Sequence, residues 1–155
     1  MNTALNDRRL VLERVFDAPV ETIWRCWTEP ALLMRWFTPK PYETVACEID
    51  LRPGGRFRTA MQGPDGFASD ETGVFLEVIA NRRLVFTDAY KPGWEPSEAP
   101  FMTSVIDFAD EGGKTRYVAT ALHWTVADRK RHEEMGFHEG WGAAADQLAA
   151  LAASL

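Results

Sequence analysis

The sequence predicts an α+β domain built from one antiparallel sheet and one long C-terminal helix. Three observations carry that expectation. Segments with two-residue periodicity fill the middle of the chain and are separated by glycine-containing turns. Two proline-started amphipathic stretches lie back to back ahead of most of them. Past residue 125 the apolar spacing becomes helical.

In chain order, Arg9 to Phe16 reads as a first strand. Pro19 suits a first helical position, because its missing N–H costs nothing there, and Val20, Ile23, Trp24 and Trp27 then fall on one helical face. Pro30 starts a second short helix, with Leu33, Trp36 and Phe37 repeating the spacing until Pro39 and Pro41 stop it. Thr44 to Ile49 is the next strand, and Pro53-Gly54-Gly55 turns the chain into Arg56 to Met61. There Phe57, Thr59 and Met61 share one face while Arg56 and Arg58 share the other. Gly63-Pro-Asp-Gly66 is a turn by composition. Thr72 to Ile79, Arg83 to Asp88, Met102 to Phe108 and Thr115 to Trp124 complete about seven strands, mostly in hairpins and therefore antiparallel. A proline-rich loop carrying Tyr90 and Trp94 interrupts them.

In the C-terminal helix, Trp141, Ala144, Ala145, Leu148, Leu151, Ala152 and Leu155 form an apolar stripe that projects back through His138 and Glu134. Gly136, Gly140 and Gly142 each cost about 1 kcal/mol relative to alanine. Either the helix starts near Ala143, or it is continuous and something bulky approaches the glycine face. The i, i+4 spacing of Gly136 and Gly140 favours the continuous helix.

At 155 residues the chain is expected to be a single domain over 1–155, able to bury a core without metals or disulfides. A formal net charge of -6 argues against sequence-independent nucleic-acid binding and against docking on anionic membranes. Residues 1–10 are polar and include Asp7, Arg8 and Arg9, unlike a signal peptide. The apolar tail from Ala143 to Leu155 is short for a span and contains Asp146 and Gln147. A cytoplasmic location is expected. Cys26 and Cys47 have no metal-ligand spacing and read as reduced, partly buried small hydrophobes.

Several segments together resemble a known family: Arg14-Val-Phe-Asp-Ala-Pro-Val-Glu-Thr-Ile-Trp24, Thr28-Glu-Pro30, Arg35-Trp36, Arg52-Pro-Gly-Gly-Arg-Phe57, Gly73 to Val78, Leu84-Val-Phe-Thr87, Gly113-Lys-Thr-Arg116 and Glu139-Gly-Trp141. In this order they resemble the activator of heat-shock-protein-90 ATPase homologue, C-terminal-domain-like family, of the START-like (SRPBCC, Bet v1-like) superfamily. The resemblance spans roughly residues 8 to 153. Trp36-Phe37-Thr38-Pro39 departs from it, since relatives often carry Trp-Trp-Gly-Pro there. It implies a helix-grip fold, in which the sheet grips the C-terminal helix around an apolar cavity. Candidate cavity walls are Trp36, Phe57, Met61, Phe75, Tyr90, Met102, Met135 and Trp141; the plainer reading of each is core. Trp24 and Trp27 are expected in the core.

Chemistry is weakly signalled. His132 and His138 lie six apart, about 240° round a helix, which does not suit a shared metal. There is no HExxH, nucleophile elbow, phosphate-cradling loop or dinucleotide fingerprint, so neither metal nor cofactor is implied. Glu134 and His138 are the weak catalytic candidates, as an i, i+4 carboxylate–imidazole pair; Asp88 and His123 could add polar groups. The leading expectation is a small-molecule binding protein for a hydrophobic or aromatic ligand, leaning away from catalysis. Superfamily resemblance leaves open a cavity enzyme of the polyketide cyclase/dehydratase or hydrolase type. The family name also raises a chaperone-associated interaction module, disfavoured because the first strand starts within ten residues of Met1. A homodimer is the default expectation for oligomeric state.

Overall fold

The computed structural model describes residues 6–155; the first five residues of the expected unit, including part of the polar N-terminal segment, lie outside the described residues. Seven strands form one antiparallel sheet: β1 (Arg9–Phe16), β2 (Glu43–Ile49), β3 (Arg56–Gln62), β4 (Ala68–Ile79), β5 (Arg83–Thr87), β8 (Met102–Glu111) and β9 (Lys114–His123). Their order is β1-β9-β8-β5-β4-β3-β2, so the first two strands in sequence occupy opposite edges. The chain crosses between those edges through α1 (Val20–Thr28) and α2 (Pro30–Leu33). Two register shifts, at Thr44/Ala46 and Phe75/Glu77, add the local twist that lets such a sheet curl.

Alternation along the strands decides which face is concave. On β9, Thr115, Tyr117, Ala119, Ala121 and His123 point inward and are buried. On β1, Leu10, Leu12 and Phe16 do the same. The outer face mixes charged residues with exposed valines such as Val11 and Val15; there Arg58 on β3 bridges Glu48 on β2 at 3.2 Å and Asp70 on β4 at 2.9 Å.

Pro19 stands one residue ahead of α1 rather than in its first turn. Its carbonyl accepts from the N–H groups of Thr22 and Ile23 at 3.0 and 3.3 Å, so it caps the helix through the backbone. Pro30 is in the first turn of α2, as the sequence predicts. Trp24 packs edge-on to Phe108 at 5.4 Å, which fixes α1 on the sheet.

The C-terminal region departs from the continuous helix. It divides into α3 (Val126–Glu134) and α4 (Phe137–Ala153), separated at Gly136, whose φ of 96° lies in the left-handed region. Thr125 caps α3 by accepting from the Asp128 N–H at 3.0 Å. After Val126 and Ala127 the helix α3 is wholly polar, and His132 is its one buried residue. α4 runs over the concave face, packs on β1 and α1, and buries Phe137, Ala144, Ala145, Leu148, Leu151 and Ala152. The proline-rich loop also contains structure the sequence did not suggest: a two-stranded ribbon of β6 (Tyr90–Lys91) and β7 (Glu95–Pro96).

Candidate functional site

Between α4 and the concave face lies a cavity of about 490 Å³. That is within the range of small-molecule sites, roughly 300–1,000 Å³. The sheet contributes Leu12, Met61, Phe86, Met102, Ser104 and Tyr117; α1 contributes Trp27. The segment following α2 supplies Trp36, Phe37, Thr38, Pro39 and Tyr42. The last wall comes from His132, Met135, Gly136, Phe137, Gly140, Trp141, Ala144 and Ala145. No Asp, Glu, Lys or Arg lines it among the described residues. Tyr42, Phe67 and Met135, all exposed, mark its mouth.

Of the eight residues expected to wall the cavity, Trp36, Met61, Met102, Met135 and Trp141 surround it. Phe57 and Phe75 do not. They stack on each other with ring centres 5.0 Å apart, and Phe57 meets Phe86 edge-on at 4.8 Å, so their faces are consumed by core packing. Tyr90 sits on the β6–β7 ribbon, exposed and 5.8 Å from the Trp94 ring. Trp94 in turn lies against Gly54 on the Pro53-Gly54-Gly55 turn, so this aromatic pair covers that turn and lines no part of the cavity. Trp27 has two roles: buried like Trp24, it also faces the space.

Gly142 has the expected bulky neighbour, since a Cβ built there would lie 3.1 Å from the Arg14 guanidinium, but Gly136 and Gly140 have different explanations. A Cβ built on Gly140 would meet nothing within 4 Å, and Gly140 lines the cavity. At Gly140 the helix is thinned beside empty space, not beside packed protein. At the mouth, a Cβ on Gly63 would collide with the Tyr42 ring, so that ring is seated directly on the glycine backbone.

One wall is tied to α4 by a residue the sequence reading passed over. Gln147 donates from Nε2 to the Trp36 and Thr38 carbonyls, both at 2.9 Å, while its Oε1 accepts from the Lys40 N–H at 3.0 Å. Trp36 is fixed further by Nε1 donating to the Cys26 carbonyl at 2.9 Å. Trp27 Nε1 donates to the Tyr117 hydroxyl at 3.2 Å. Burial pushes the Tyr117 pKa upward, so the phenol stays neutral.

The expected Glu134–His138 pair is not assembled. The break at Gly136 puts the two residues on different helices, and both are exposed; His138 lies 3.5 Å from Glu133 instead. The buried histidines are the other two. His123 Nε2 and His132 Nδ1 are 2.9 Å apart, and His123 Nδ1 is 2.8 Å from the Arg8 carbonyl. Aromatic rings enclose His132: Phe101 at 4.9 Å, Phe137 at 5.2 Å and Trp141 at 6.0 Å. Burial, reinforced by His123, lowers its pKa to about 4, so His132 is neutral at pH 7. Asp88 serves structure here: its carboxylate accepts from the Phe101 N–H at 2.9 Å and the Met102 N–H at 3.2 Å, holding Phe101 against His132.

A curved antiparallel sheet gripping a C-terminal helix across a cavity defines the helix-grip, START-like class. The chain belongs to the Activator of Hsp90 ATPase homolog 1-like protein family, whose sequence profile matches residues 17–153. A solved protein from Nitrosomonas europaea is 46% identical over 94% of each chain, with a TM-score of 0.91. One from Mycobacterium smegmatis is 28% identical, covering 95% of this chain and 91% of its own, with a TM-score of 0.80. An AHSA1-like protein from Aeromonas hydrophila is 24% identical over 94% and 92%, with a TM-score of 0.72, and shares the fold. No curated protein matches the chain. Among the described residues no helix is long and apolar enough to cross a membrane.

Proposed function

We propose that this protein binds a small hydrophobic or aromatic molecule in the cavity beneath α4. The observation that carries the reading is Gly140: a helix gives up a side chain where nothing in the protein fills the vacated space. Packed interiors hold few voids larger than a water molecule, so an open apolar volume of this size beside a helix favours a guest. The exposed apolar mouth formed by Tyr42, Phe67 and Met135 supplies an entry for an apolar guest.

Catalysis of the cyclase, dehydratase or hydrolase kind calls for ionisable groups converging on a substrate. His132 lines the cavity, but no carboxylate joins it there among the described residues, and Glu134 and His138 face solvent. Binding is therefore the better-supported reading, and the chaperone-associated alternative has no comparable observation behind it.

Trp27, Trp36 and Trp141 around the cavity provide the readout. Titration with neutral aromatic probes should perturb tryptophan emission and raise the melting temperature. Gly140→Leu, which places a side chain in the open volume, should abolish both effects while the protein stays folded. Native mass spectrometry of freshly purified protein should reveal a co-purified small molecule. Unchanged emission and melting across the probe set would remove the proposal.

A further inference from the structure

With both rings neutral, the Arg8 carbonyl and the His123–His132 contact together fix where each proton sits. A backbone carbonyl can only accept, so His123 Nδ1, 2.8 Å from the Arg8 oxygen, carries a proton. The same carbonyl accepts from the His123 backbone N–H at 2.9 Å, which locks the ring in place. When both rings are neutral, His123 therefore has a bare Nε2. Across the 2.9 Å contact, His132 Nδ1 must be the donor. A neutral imidazole has one N–H, so His132 Nε2 is left as an unprotonated lone pair. It has no hydrogen-bond partner among the described residues, and its ring lines the cavity between Phe137 and Trp141.

We propose that His132 Nε2 is the hydrogen-bond acceptor that selects the ligand, and that the ligand is a neutral aromatic or apolar molecule carrying a hydroxyl or N–H donor. This rests on the binding function proposed above. Two features narrow the class. The Arg8–His123–His132 chain holds the lone pair in place before binding, so no tautomer change is required of the protein. The uncharged lining gives a carboxylate no counter-ion, so an anionic guest such as a fatty acid would be buried unpaired. A hydroxyl donor, by contrast, satisfies His132 and leaves its apolar body against Trp36, Phe86 and Trp141.

The test uses the full-length protein at pH 7 with 2-naphthol, 2-methoxynaphthalene and 2-naphthoate, followed by calorimetry or tryptophan emission. The hydroxyl compound should bind about tenfold tighter than its methyl ether, the discrimination of about one net hydrogen bond, and 2-naphthoate should be weakest. His132→Asn keeps a donor amide near the Nδ1 position to satisfy His123 but removes the cavity acceptor, so the preference for the hydroxyl should vanish. Long-range ¹H–¹⁵N spectra of the wild type give an independent reading and should show His132 as the Nδ1–H tautomer. Equal affinity for naphthol and its ether, preferred binding of the naphthoate, or an Nε2–H tautomer of His132 overturns the inference while leaving the cavity's binding role standing. Binding of none of the three overturns both.

Discussion

Stability should fall on mild acidification, and His132 should cause it. The imidazole is held from its ordinary 6.5 down to about 4, chiefly by burial. A tenfold change in proton affinity is worth about 1.4 kcal/mol, so the depressed value corresponds to about 3 kcal/mol. The unfolded ring takes up its proton near pH 6.5 and the folded ring only near 4. Between those values the unfolded state binds more protons. The stabilisation is therefore complete above the upper value and gone below the lower one. Few other groups bear on His132. His123 faces it from β9, Arg131 on its own helix places its guanidinium 5.2 Å from the Phe101 ring centre, and α4 presents Phe137 and Trp141. Asp70, held by Arg58 below its ordinary 3.8, loses its contribution beneath this window. Urea midpoints at stepped pH, compared between wild type and His132→Asn, isolate the effect. The wild type should lose about 3 kcal/mol that the variant does not. Parallel curves for the two proteins from pH 6.5 to 4 would refute the burial of a neutral His132.

Three further outcomes follow from the packing. Gly140→Ala adds a methyl where nothing lies within 4 Å and should raise stability by up to about 1 kcal/mol, seen as a higher urea midpoint; a loss would mean the space is already filled. Gln147→Ala removes three hydrogen bonds to the 36–40 segment and should cost about 2 kcal/mol while speeding amide exchange at Lys40. Unchanged exchange there would show that the segment is held by its own packing. Burial pushes both free thiols, Cys26 and Cys47, up to about 11, so a disulfide reagent at pH 8 should react slowly with native protein and fast in urea. Equal rates in both conditions would contradict that burial.

The sheet was legible because its signals are local. Alternation in Arg56 to Gln62 and in Lys114 to His123 assigns each side chain to a face before any tertiary contact is known. The same reasoning could not separate cavity wall from core among aromatics sharing a face. Met61 and Phe57 alternate identically on β3, yet Met61 meets open space while Phe57 is consumed by Phe75 and Phe86. That distinction depends on what the neighbouring strands and α4 leave unfilled, a property of three-dimensional packing and not of period.

Gly136 and Gly140 show how one pattern can carry two meanings. Their spacing suggested a shared face approached by something bulky. Gly136 instead turns the chain with a positive φ, and Gly140 opens a volume. The break at Gly136 then decides which imidazole faces the cavity. A continuous helix would align Glu134 with His138; the break leaves both exposed and makes His132, buried under Phe137 and Trp141, the inward residue. Its partner His123, nine residues earlier, is brought to it by the β9-to-α3 corner, and the register of β1 on β9 brings in the Arg8 carbonyl. No single segment encodes that relay. It arises where a sheet edge, a helix end and one left-handed glycine meet, which is why the candidate acceptor emerges from the assembled fold and not from residue spacing.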